Sequence, residues 1–128
     1  MSNQLPPEFW HGIQQFNQQE FYACHDTLEA LWLEASEPER TLYQGILQIA
    51  VAIYHLGNQN LRGAMILLGE GISRLSRYQP EYAGLDIRQL LLKSKTLLTQ
   101  LQTDSLNPPD RLDIDQYSQL FPKIISKK

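Results

Sequence analysis

The stretch PERTLYQGILQIAVAIYHLGNQNLRGA, residues 38–64, decides the fold. Leu42, Ile46, Leu47, Ile49, Ala50, Val51, Ala52 and Ile53 leave almost no side of a helix polar. A helix that is apolar all round needs neighbours all round, so the segment from Pro38 to about His55 reads as the central element. Gly57 to Asn60 makes a tight stop, and Asn60 suits the N-cap of a further helix running from Leu61 to about Tyr78. So short a link forces the two helices into an antiparallel hairpin. Gly63, Gly69 and Gly71 weaken the second arm by up to ~1 kcal/mol each relative to Ala, and close approach to another helix is the expected compensation.

Working outward, Ser36-Glu37-Pro38-Glu39 fits a capping box at the head of the central helix. Before it, Phe21, Leu28, Leu31 and Trp32 mark a helix from about Glu20 to Ala35, with Glu20, Asp26 and Glu34 spread over its remaining surface. Pro6-Pro7 opens a first helix lined by Phe9, Ile13 and Phe16 and ended near Asn17. On the other side, Asp86 caps a fifth helix reaching about Gln102, with Ile87, Leu90, Leu91, Leu97, Leu98 and Leu101 on one stripe. Hairpin-type strand signals are nearly absent. The expected fold is all-α: a single domain over residues 1–128, with about five helices, a core at about 7–102 and a surface tail at 103–128 that includes a turn of helix.

Composition narrows the function. Apolar residues are 42% and charged residues 20% of the chain, which excludes intrinsic disorder. The net charge of −3 argues against nucleic acid as a partner. ILQIAVAIY, residues 46–54, is about half of what a membrane span requires. The opening MSNQLPPEFW shows neither the basic nor the apolar region of a leader. With one cysteine, Cys24, the expectation is a reducing, cytoplasmic setting. Charge is also uneven: residues 1–40 hold seven acids and one base, whereas residues 41–128 hold seven acids and ten bases. That asymmetry suits complementary packing, within one domain or across a homodimer.

The chemistry-bearing segment is FNQQEFYACHDTLEALW, residues 16–32. His25 and Glu29 are four apart and share a helix face with Trp32. A carboxylate against an imidazole fixes its tautomer and raises its basicity, as a general base or a metal ligand requires. On the central helix, Arg40, Gln44, Gln48 and His55 fall near one side and need polar partners if buried. The expectation is a cluster in which His25 and Glu29 meet Gln44, Gln48 or His55, Arg40 pairs with Glu29, and Trp32 closes one end. Such a cluster serves as a register-fixing network, as a pocket with His25 as base, or as a metal site completed by His55. HEXXH-like spacing and a cysteine cluster are both missing, so neither a metal nor a cofactor is expected. Tyr43 and Tyr54 read as core, and Cys24 lies about 100° round the helix from His25, which disfavours a Cys–His pair.

Phe16-Asn17, Phe21, His25, Leu28-Glu29 and Trp32, followed by YQGILQIAVAIYHLGNQNLRGA (residues 43–64), resemble domain-of-unknown-function family 309, small helical proteins of prokaryotes and the plastid lineage. The resemblance covers about residues 9–92 and includes Gly45, Ala50, Asn60, Gly63, Ala64 and Asp86. It implies a compact helical array and names no reaction. Members of the family often carry Gly where Gln19 stands and an acid where Ala23 stands. More loosely, Ile49-Ala50, Gly57 and Ala64 are similar to a tetratricopeptide hairpin, though only one such unit is present. These readings favour a non-catalytic binding or interaction protein, with a second copy, another protein or an unidentified small molecule as partner. The alternative is a small hydrolase or lyase with a His25/Glu29 general-base pocket between helices two and three.

Overall fold

A computed structural model describes residues 5–127. Pro7 opens helix α1 (Pro7–Asn17), which buries Phe9, Ile13 and Phe16. A turn through Gln18 and Gln19 leads into α2 (Phe21–Glu34), whose buried face is Phe21, Cys24 and Leu28. α3 (Glu39–Gly57) buries residues on nearly every side, Leu42, Ile46, Ile49, Ala50, Ile53 and Leu56 among them. α4 (Leu61–Leu75) passes into a 3-10 turn at Ser76–Tyr78, and α5 spans Ile87–Ser105. The helices stack in sequence order, each packed on the next from α1 to α5, with α3 covered by α2 on one side and α4 on the other. The fold is all-α with a central helical hairpin, as the 38–64 stretch requires.

Two glycines set how closely α3 and α4 approach. A Cβ on Gly45 would lie 2.7 Å from Leu75 Cγ, and one on Gly71 would lie 2.8 Å from the Gly45 carbonyl oxygen. Gly71 is therefore compensated by close packing, as expected. Gly69 has nothing within 4 Å of such a Cβ and gains no such compensation. At the foot of the hairpin, Asn60 caps α4 by accepting from the Gly63 amide at 2.9 Å.

Four sequence expectations need correction. The capping box does not form: Pro38 occupies the N-cap position and has no amide proton, and the side chain that acts there is Glu37. Its carboxylate accepts from the Thr41 amide at 3.0 Å and the Thr41 hydroxyl at 2.6 Å. Between α4 and α5, Glu81–Tyr82 (β1) and Leu85–Asp86 (β2) pair as a two-stranded hairpin. Its turn residues Ala83 and Gly84 have φ of 51° and 83°, a left-handed pair that a Tyr-Ala-Gly-Leu sequence signals poorly because Ala resists it. α5 also runs beyond Gln102 to Ser105.

The fourth correction concerns the tail. Leu112, Tyr117 and Ile124 are at most 7% exposed, so the core reaches past residue 102. α6 (Ile114–Ser118) supplies the expected turn of helix. Two side-chain amides hold the tail by its main chain. Gln59 accepts from the Leu112 amide at 2.6 Å and donates to its carbonyl at 3.2 Å. Asn17 does the same at Ile124, at 2.7 and 2.9 Å. The chain then runs along the hairpin, where Ser126 bridges Leu85.

Candidate functional site: the seam between α2 and α3

Helical spacing places Tyr22, His25, Glu29 and Trp32 along one flank of α2, beside α3. Tyr22 reaches across to Tyr54 on α3, ring centroids 5.2 Å apart, and lies 6.2 Å from the His25 ring. At the other end of the seam the Arg40 guanidinium carbon stands 4.3 Å above the Trp32 ring. Arg40 thus meets Trp32, a cation–π contact worth about 0.5–1 kcal/mol at a partly exposed site, rather than pairing with Glu29. Tyr43 is core, but Tyr54 is 40% exposed and belongs to the surface of the seam.

His25 is three-quarters buried and sits between two carboxylates. Its Nδ1 is 3.4 Å from Asp26 Oδ1 and its Nε2 is 3.9 Å from Glu29 Oε2. Neither approach is a hydrogen bond, and Nδ1 is buried with no hydrogen-bond partner. Trp32 Nε1, further along the same flank, is likewise buried and unpartnered. Asp26 joins the site although its sequence position suggested only solvated surface; the signal was its adjacency to His25. One ligand atom from each of His25, Asp26 and Glu29 lies within 4.8 Å of the others, a group that can reach a metal ion. His55 is not in it. Three donors fall short of the four of a closed structural zinc site.

The expected partners on α3 turn elsewhere. Gln48, 8% exposed, faces α4: its Nε2 donates to Glu70 at 3.0 Å and its Oε1 accepts from Arg74 at 3.1 Å. Gln44 and His55 are half-buried, and His55 lies in the last turn of α3. Among the described residues, no hydrogen bond joins His25 or Glu29 to Gln44, Gln48 or His55. Asn60 serves α4 as its cap and is remote in role from the seam. Burial pushes the Cys24 thiol up to about 12, so it stays protonated and is a poor nucleophile.

Two hollows flank the seam. One, of about 280 Å³, lies at its Tyr54 end against Phe21, Ile53, Ile114 and Phe121. The other, of about 810 Å³, lies between α1 and α2 and is lined by Ala30, Leu31 and Pro7 with Glu8, His11 and Glu34. Neither is lined by His25.

Residues 9–67 match the model of a family described as a domain of unknown function, DUF309. The resemblance drawn from His25, Glu29 and Trp32 therefore holds across α1, α2, α3 and the first half of α4; the expected reach to about residue 92, with Asp86, lies outside the match. The chain is also similar to the uncharacterized protein YpuF of Bacillus subtilis (strain 168), with 35% identity over 89 residues. Those residues are 67% of this chain and 51% of YpuF, so the chain spans about half the length of that relative. Among the described residues, no helix is long and apolar enough to cross a membrane.

Proposed function

We propose that this chain is a non-catalytic binding module whose recognition surface is the α2–α3 seam from Tyr22 to Arg40. One observation carries the reading: His25 Nδ1 and Trp32 Nε1 are both buried on this flank without a hydrogen-bond partner. Leaving such a group unpaired costs about 1–3 kcal/mol, and native structures rarely leave two on one strip unless something else completes them. Exposed Tyr22 and Tyr54 add the large amphipathic rings that binding surfaces favour. A ligand with an acceptor for the indole N–H and a polar group for the imidazole completes the strip. The module acts in the cytoplasm, on a small molecule or protein partner, without nucleic acid.

A thermal-shift screen against a metabolite pool tests this, run on wild type, Trp32→Phe and His25→Ala. A ligand at 100 times its Kd stabilises by about 2.7 kcal/mol, a shift that is easily read. The expected result is a compound that stabilises wild type and loses at least tenfold in affinity in Trp32→Phe, which keeps the ring and removes only the N–H. Equal stabilisation of all three proteins places recognition elsewhere.

The placement of His25 between two carboxylates favours a second reading, a hydrolase or lyase with His25 as general base. That reading requires turnover of the bound compound, abolished in His25→Gln with binding retained. Binding without turnover in wild type leaves the module reading standing.

A further inference from the structure

Residues Ile124–Lys127 lie in a seat that reads main chain. In Ile124–Lys127, four main-chain groups are bound: the Ile124 amide and carbonyl by the Asn17 side chain, at 2.7 and 2.9 Å, the Ile125 carbonyl by the Asp86 amide at 2.8 Å, and the Lys127 amide by the Gly84 carbonyl at 2.6 Å. Such contacts are indifferent to the side chains they hold. Selection comes from the side chains that are buried or paired, Pro122 among them. Phe121 stands edge-on to Phe21, centroids 5.8 Å apart. Ile124 is 2% exposed. The Lys127 ammonium is 3.0 Å from the Glu81 carboxylate.

This is how a sheet edge accepts an added peptide strand: ladder bonds give affinity, and pockets for spaced side chains give specificity. We propose that Asn17, Phe21 and the outer edge of the β1–β2 hairpin form a docking groove for an extended peptide, which this chain fills in cis with its own residues 121–127. The partner it fits carries an aromatic residue followed by proline, an aliphatic residue three positions on from the aromatic and a basic residue six positions on, the last complementing Glu81. Two further observations support this. The hollow of about 280 Å³ beside Phe21 and Phe121 is left unfilled by the resident segment, so a bulkier aromatic side chain gains contacts there. Asn17 and Phe21 also lie inside the family-matched residues 9–67, whereas the segment they hold lies outside them. The inference is independent of the α2–α3 seam reading.

The test uses the full chain and a fluorescein-labelled peptide of sequence QLFPKIISKK, read by polarisation. A tethered segment competes at an effective concentration on the order of millimolar, so wild type binds the peptide weakly. Ile124→Asp evicts the resident segment without touching the groove, and the peptide is expected to bind it at least tenfold more tightly than wild type. Adding Asn17→Asp, which cannot donate to the peptide carbonyl, removes that gain. Adding Glu81→Lys weakens binding, and a peptide with Glu at the position of Lys127 restores it. Circular dichroism reports whether each variant keeps its helix content; if Ile124→Asp loses it, Phe121→Ala is measured in its place. A folded variant that binds no better than wild type, or binding untouched by Asn17→Asp, overturns the proposal.

Discussion

Gln19 holds φ at 64° in the turn between α1 and α2. An L-residue with a Cβ loses roughly 1–2 kcal/mol there, and Gly does not. Gln19→Gly is expected to raise stability by about 0.5–1 kcal/mol in urea unfolding, part of the relief being offset by the entropy of a freer unfolded chain. The helical glycines divide by what surrounds them. Gly69→Ala meets open space and should gain up to ~1 kcal/mol from helix propensity alone. Gly71→Ala drives a methyl against the Gly45 carbonyl and Ile49 Cγ1, each at 2.8 Å, and should lose about 1–3 kcal/mol through overpacking. Opposite signs at positions two residues apart on one helix make the pair a sharp measurement.

The helix heads show what local sequence reveals and what it hides. Asn60 and Asp86 were legible as caps because a short oxygen side chain before an apolar stripe has one dominant use, and both accept as expected, from Gly63 and Gln89. The head of α3 hides its cap, because capping-box spacing identifies candidates without saying which carboxylate reaches the amide. Thr41 donates twice to Glu37, which holds that carboxyl below the ordinary glutamate range. A lowered folded value contributes stability that is complete above the unfolded value and is lost as pH falls through the folded one. In thermal melts from pH 7 to pH 3, Glu37→Gln should therefore show a shallower acid-side fall than wild type. The site divided in the same way. Adjacency of His25 and Glu29 follows from helix geometry alone, so it was readable. Whether Gln48 faces α2 or α4 depends on how α3 is rotated about its axis between two neighbours, and a helix apolar on nearly all sides gives no sequence signal for that rotation.

Across the whole molecule, helices α1 to α5 follow chain order and each packs on its predecessor, so the order of the chain is also the order of the stack. The tail breaks that order. Its buried residues are sparse, Leu112, Tyr117 and Ile124 within a mostly polar stretch, so no apolar stripe announced them. The bonds that fix it come from partners far away in sequence, the Asn17 and Gln59 side-chain amides and the main chain of the β1–β2 hairpin.

The Asn17–Ile124 clamp joins residues 107 apart along the chain. Closing so long a loop is entropically dear before any contact rewards it, while the α3–α4 hairpin needs only local closure. Folding should therefore begin at the hairpin and reach the clamp after the rate-limiting barrier, giving Asn17 a φ-value near zero. In stopped-flow chevrons, Asn17→Ala is expected to leave the refolding limb of wild type unchanged and raise the unfolding limb by the whole of its stability loss. The clamp is then a brake on unfolding and contributes nothing to the speed of assembly, so it prolongs the lifetime of the native state.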